Sequence, residues 1–97
     1  MNTATMKKLA LEHLEELSAL VRGGGFDDYV KRDDVEEVDY MFAKMFVSTV
    51  HRDGVELFGG ISDVQNRYHI TVVAQGDSDD KQVVVQGNVA VGTISVL

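Results

Sequence analysis

The chain has 97 residues, the size of one domain, so it has no room for separate catalytic and regulatory domains. Hydrophobic residues make up 44% and charged residues 26%, a composition typical of globular proteins. Cysteine is absent, which excludes disulfides and thiolate metal sites. The net charge of −7 argues against direct binding to nucleic acid. We therefore expect a single domain over residues 1–97.

The sequence lacks the patterns of membrane and secreted proteins. No apolar run approaches the roughly 18 residues of a membrane span. After Lys7 and Lys8 the apolar residues are interrupted by charged ones, unlike a secretory signal. We therefore expect a cytoplasmic protein without a membrane partner, located in the host cytoplasm if a phage encodes it.

The first predicted element is an amphipathic helix over about residues 4–22. Apolar residues recur there at helical spacing: Met6, Leu9, Leu14, Leu17, Leu20 and Val21. Thr3 or Thr5 is placed to cap its start, and the glycines at 23–25 end it and form a flexible joint. His13 lies among glutamates, so we expect it on the solvent side.

Residues 26–45 fit two structures. The helical interpretation depends on the spacing of Val35, Val38, Met41, Phe42 and Met45, and on two pairs that resemble a capping box, Asp33 with Glu36 and Asp34 with Glu37. The strand interpretation depends on the alternation of Val38, Tyr40, Phe42, Phe46 and Val50. We favour a helix or helical turn early in this segment, changing to strand by about Phe46, and residues 34–46 stay open between the two.

The rest of the chain, residues 45–97, has the pattern of strands. Asp53-Gly54 predicts a two-residue turn between strands at 46–50 and 55–58. Residues 68–75 alternate as a strand does, residues 76–80 predict a loop, and residues 82–86 return as a strand. Gly87-Asn88 predicts another tight turn before a strand at 89–96. The predicted fold is α+β: an N-terminal helix, a possible second short helix, and a four- to five-stranded antiparallel meander.

No residue pattern indicates catalysis. His13, His51 and His69 lack the spacing of a metal site, and no serine stands in a Gly-x-Ser-x-Gly elbow. The glycine runs lack the lysine of a phosphate loop, and the acidic residues 77–80 lack the later ligands of a calcium loop. We therefore predict no enzyme activity, no cofactor and no metal.

The most unusual segment is the acidic stretch at residues 26–39. Seven of the sixteen acidic residues lie in these fourteen positions, offset only by Lys31 and Arg32. One interpretation is a solvated helix start, since acids are favourable there. The other is a surface that a basic groove on a partner receives, because complementary charge speeds association. On the second interpretation Tyr29 is a buried aromatic anchor, and the partner-binding residues are Asp27, Asp28, Tyr29, Asp33, Asp34, Glu36, Glu37 and Asp39.

In size, and in its charge clusters at residues 27–39 and 77–80, the chain resembles the small acidic anti-defence inhibitors encoded by phages, which include anti-CRISPR proteins and DNA mimics. This resemblance implies a non-catalytic inhibitor, monomeric or dimeric, that occludes the nucleic-acid site of a basic protein or nucleoprotein complex, such as a host nuclease or a CRISPR surveillance complex. One alternative is a structural or assembly subunit that associates through edge strands at 83–85 or 89–96. Another is a small enzyme or ligand-binding domain, which should have an apolar pocket with convergent polar groups.

Overall fold

Seven elements make up the fold in a computed structural model that describes residues 2–41, 43–65, 67–76 and 81–90. They are α1 (Thr3–Arg22), α2 (Phe26–Tyr29), β1 (Glu36–Tyr40), β2 (Ala43–Arg52), β3 (Val55–Val64), β4 (Arg67–Gly76) and β5 (Gln82–Ala90). The five strands form one antiparallel sheet in chain order. The predicted α+β fold, with its N-terminal helix, short second helix and antiparallel meander, is confirmed.

Helix α1 occupies the predicted span, and its apolar stripe is buried against the sheet at Met6, Leu9, Ala10, Leu17 and Val21. The predicted threonine cap is wrong, because the side chain of Asn2 accepts the hydrogen bond from the Thr5 amide at 2.8 Å. At the other end Gly23 caps the helix, and Gly24 has φ +80°, where a side chain would add strain.

The sheet has one covered face and one open face. Helix α1 lies across β3, β4 and β5. The core side chains on the covered face come from alternate positions of these strands, including Leu57, Ile61, Ile70, Val72 and Val89. The other alternate positions form the open face, which α1 does not reach. No helix among the described residues has the length and hydropathy of a membrane span.

The β2–β3 hairpin follows from its turn. Asp53 has φ 51° and Gly54 has φ 77°, the two left-handed conformations that a two-residue hairpin turn requires. The turn pairs Arg52 with Val55 and sets the register of eight residue pairs, from Arg52 with Val55 to Met45 with Ser62. This predicted hairpin is confirmed.

The helical interpretation that began at Asp33 is wrong, and the change to strand comes earlier than about Phe46. Residues 33 and 34 form a turn, and strand β1 begins at Glu36 and pairs with β2 along its whole length. Every residue of β1 is exposed, so burial of apolar side chains within this segment does not explain its conformation. Pairing with β2 instead satisfies the backbone polar groups along the edge of β2 that β1 covers.

The second predicted tight turn is also wrong. Strand β5 runs without a break through Gly87 and Asn88, which pair with Ile70 and His69. Gly87 lies under Leu14 of α1, since a Cβ at this position would be 3.5 Å from the leucine methyl carbons. The glycine therefore accommodates the helix within a strand. The predicted loop residues 77–80 and most of the predicted strand 89–96 lie outside the described residues.

Candidate functional site

Helix α2 is held on the covered face by Tyr29. The tyrosine is 1% exposed, and its hydroxyl lies 2.8 Å from Ser48 Oγ and donates to the Phe46 carbonyl at 3.4 Å. Burial raises the pKa of Tyr29. Tyr29 therefore anchors the protein's own second helix and has almost no exposed surface to offer a partner.

An aromatic cluster lies beside this contact. The ring of Phe26 in α2 packs edge-on against Phe46, with centroids 5.6 Å apart, and against Tyr68, with centroids 4.9 Å apart. Burial, and then the nearby carboxylates of Asp63 and Asp27, raise the pKa of Tyr68. Two carboxylates that are distant in the sequence therefore lie around one phenol.

The acidic residues of β1 are divided between the two faces of the sheet. In the strand register Glu37 lies opposite Phe46 and Asp39 lies opposite Lys44. Both acids are therefore on the covered face, the face of the aromatic cluster. Glu36 pairs with Val47 on the open face. Glu36 and Glu37 therefore lie on opposite faces of the sheet, because successive strand residues point in opposite directions.

Two of the predicted acidic residues already have partners on the surface. Arg32 donates two hydrogen bonds to Asp34, which lower the pKa of that carboxyl group. Lys44 Nζ lies 3.4 Å from Glu37 Oε2. Within the described residues, no ion pair involves Asp27, Asp28, Asp33, Glu36, Asp39 or Asp63.

We define the acidic patch as the carboxylates of α2 and of the covered face on its side of the sheet: Asp27, Asp28, Glu37, Asp39 and Asp63. They come from α2, β1 and β3. Sequence reasoning missed Asp63, because it lies outside the acidic stretch and reaches the patch only through its pairing with Tyr68. The sequence signal that could have found it is the alternation of β3, which places Asp63 on the same face as Leu57 and Ile61.

The histidines do not form a site together. His13 is 5% exposed and faces the sheet, so the prediction of a solvent-side histidine is wrong. His51 hydrogen-bonds Glu56 at 3.2 Å on the surface, and His69 lies on the open face. Among the described residues, no group of three or more His, Asp or Glu side chains is arranged to hold a metal ion.

Comparisons with protein-family models, curated proteins and solved structures found no match to this chain.

Proposed function

We propose that this is a non-catalytic cytoplasmic protein that inhibits a basic, nucleic-acid-handling partner by occluding its nucleic-acid site with the acidic patch. The carboxylates take the positions that phosphates would occupy in the partner's basic groove. This is the mode of action of the phage inhibitors that the chain resembles. The main supporting observation is that Asp27, Asp39 and Asp63 lie on the covered face and Asp28 lies in α2, which packs there, with no ion pair to any of them among the described residues.

Unpaired surface carboxylates support binding better than paired ones. An acid that already has a cationic partner must give up that contact before it meets another cation, whereas a solvated acid only loses water. Exposed charges of one sign also focus a field that speeds the approach of an oppositely charged partner. The four unpaired aspartates therefore suit the recognition of a basic surface.

The packing beneath the patch supports the same function. Phe26, Phe46 and Tyr68 interlock three elements, and Tyr29 ties α2 to β2. These contacts hold α2 and its carboxylates in a fixed position on the sheet. A pre-organised surface loses less conformational entropy on binding, so more of the electrostatic attraction contributes to affinity.

The test is a variant in which all four unpaired acids of the patch are neutralised: Asp27→Asn, Asp28→Asn, Asp39→Asn and Asp63→Asn. A matched control neutralises four acids elsewhere: Glu12→Gln, Glu15→Gln, Asp53→Asn and Glu56→Gln. Both variants change the net charge equally. Both should keep the native circular dichroism spectrum, because the affected groups are exposed or half-exposed.

Each immobilised protein is incubated with host extract, and captured proteins are eluted with heparin, a polyanion that competes for basic grooves. We expect the native protein and the control to capture a nucleic-acid-binding protein, to release it at about 0.5 M salt where charges are screened, and to block its binding to DNA or RNA. The patch variant should associate with it about tenfold more slowly or worse. Equal association of the patch variant and the control would refute the proposal.

A second candidate function, an assembly subunit, is favoured by the edge at β5. This nine-residue strand contains no charged residue, and Val84 is 55% exposed. The opposite edge, β1, carries three carboxylates in five residues, which oppose pairing with another copy. An uncharged edge strand can add a strand from a second molecule, so of the two edges formed by the described strands β5 is the one that favours assembly.

Sedimentation of the native protein and of Val84→Lys separates this candidate from the inhibitor. An assembly subunit should form concentration-dependent oligomers that the edge lysine disrupts. A native protein that sediments as a monomer up to about 1 mM would exclude it.

A further inference from the structure

The open face of the sheet contains a groove with a volume of about 570 Å³, which lies on the opposite side of the sheet from the acidic patch. This volume is within the range of roughly 300–1,000 Å³ that is typical of small-molecule sites. The side of the groove formed by β1, β2 and the turn between them is apolar, with Tyr40, Met41, Ala43 and Met45. Met41 is 82% exposed and Tyr40 is 58% exposed, so a ligand has apolar surface to cover.

The opposite side of the groove is polar. Ser62, His69 and Asn88 form one row across β3, β4 and β5, and Thr71 with Gln86 forms the next row. None of these five side chains hydrogen-bonds another residue within 2–41, 43–65, 67–76 or 81–90. Their donors and acceptors are therefore free to bind a ligand.

Charge limits the chemistry of that ligand further. No Asp, Glu, Lys or Arg is among the described residues that line the groove. A charged ligand would lose hydration there without gaining an ion pair, which is unfavourable. Methionine sulfur and a tyrosine ring both make favourable contacts with aromatic rings, and the amides of Gln86 and Asn88 offer both donors and acceptors.

A second copy of the chain fits the groove less well. Stacking another sheet on this face would remove the five polar side chains from water. Each one left without a partner would cost about 1–3 kcal/mol. A molecule that carries its own donors and acceptors along one edge avoids this cost, so the polar rows favour a small ligand.

We propose that this groove binds an uncharged, planar heteroaromatic molecule, with an apolar end against Tyr40 and the two methionines and a hydrogen-bonding ring edge against Gln86 and Asn88. This site is independent of the acidic patch. Lumichrome is a suitable probe, because it is uncharged and planar and has a dimethylbenzene end opposite an edge of N–H and carbonyl groups. Hydroxymethylanthracene is the comparison, since its three rings lack such an edge.

The experiment is a titration of the full ¹⁵N-labelled chain followed by amide chemical shifts. The test variant is Gln86→Ala with Asn88→Ala. The matched control is Gln75→Ala with Gln82→Ala, which changes two amides on the same face, one in β4 and one in β5, that hydrogen-bond each other outside the groove. All four positions are exposed or half-exposed, so we expect both variants to fold.

Lumichrome should shift the amide signals of the groove residues saturably, with a Kd below about 1 mM. The groove variant should bind at least about tenfold more weakly, since two hydrogen bonds are lost, whereas the control should match the native protein. Hydroxymethylanthracene should also bind about tenfold more weakly than lumichrome. The proposal fails if no saturable shift occurs at the groove, if the groove variant matches the control, if both ligands bind equally, or if a dimer that buries this face excludes lumichrome.

Discussion

His13 of α1 is in direct contact with Gly59 of β3. A Cβ at Gly59 would lie 3.0 Å from His13 Nε2 and 2.7 Å from a methyl carbon of Leu17. The imidazole Nδ1 is hydrogen-bonded to Glu16 at 2.9 Å, and buried Nε2 has no hydrogen-bond partner among the described residues. The absence of a side chain at Gly59 therefore allows the helix to lie this close to the sheet.

Replacing Gly59 with alanine should separate α1 from β3. The added methyl group overlaps Leu17 and His13, so we expect Gly59→Ala to lower the free energy of unfolding by about 1–3 kcal/mol. Gly87→Ala is the matched control, because Gly87 of β5 also faces α1. Its Cβ would lie 3.5 Å from Leu14, an ordinary contact distance. Urea unfolding should show the control at or slightly above native stability. Equal effects of the two substitutions would contradict the close contact at Gly59.

Glu16 should make stability depend on pH in the acid range. Its carboxylate lies 2.7 Å from Arg52 Nη1, and the hydrogen bond from Arg52, followed by that from His13, lowers the pKa of Glu16. A lowered folded-state pKa means that the unfolded chain binds the proton more readily. The stabilisation is therefore complete well above pH 4.5, the ordinary value, and is lost as the pH falls through the lowered folded-state pKa.

Urea unfolding of native protein and Glu16→Gln between pH 7 and pH 3 tests this dependence. The difference in stability should shrink as the pH falls, since both side chains are then uncharged. Half-exposure of Glu16 makes the effect small, about 1 kcal/mol or less. Exposed Glu12→Gln is the control. A constant difference between native protein and Glu16→Gln at every pH would count against the ion pair.

The hydroxyl of Tyr29 should contribute to stability and not to partner binding. Tyr29→Phe leaves Ser48 Oγ buried without its 2.8 Å partner, so we expect a loss of about 1–3 kcal/mol. The double variant with Ser48→Ala should lose less than the sum of the two single variants, because both remove the same hydrogen bond. Additive losses in thermal or urea unfolding would show that the two hydroxyls are not coupled.

The β1–β2 turn holds Met41 in a conformation that methionine rarely adopts. Its φ is +56°, in the left-handed region that favours glycine and asparagine. We expect Met41→Asn to raise the free energy of unfolding by about 0.5–1 kcal/mol, measured by urea denaturation. Asp53→Asn is the control. Asp53 has a φ of 51°, and aspartate already tolerates this left-handed conformation, so the substitution should change stability less. A loss of stability in Met41→Asn would indicate that methionine contacts outweigh the strain.

Local chemistry made several elements predictable. The apolar spacing of α1, its glycine end and the Asp53-Gly54 turn all depend on residues close together in the chain. Each was found where the sequence indicated. The five-stranded meander followed from short connections that leave no room for a crossover.

Long-range packing overturned other expectations. Residues 36–40 had both helical and strand spacing, and the free edge of β2 decided between them. Tyr29 had the sequence context of a surface anchor, yet the position of α2 over β2 buried it against Ser48. His13 stands among glutamates in the sequence, but Gly59 leaves space for it beneath the helix.

The sequence by itself determined the α1 helix, the β2–β3 hairpin and the excess of negative charge, because these depend on neighbouring residues and on composition. Only the tertiary structure decided which carboxylates share a face, brought Asp63 to Tyr68, and opened a groove between β1 and β5. The physical reason is that strand pairing joins residues far apart in the chain, and the register of that pairing selects the face on which each side chain lies.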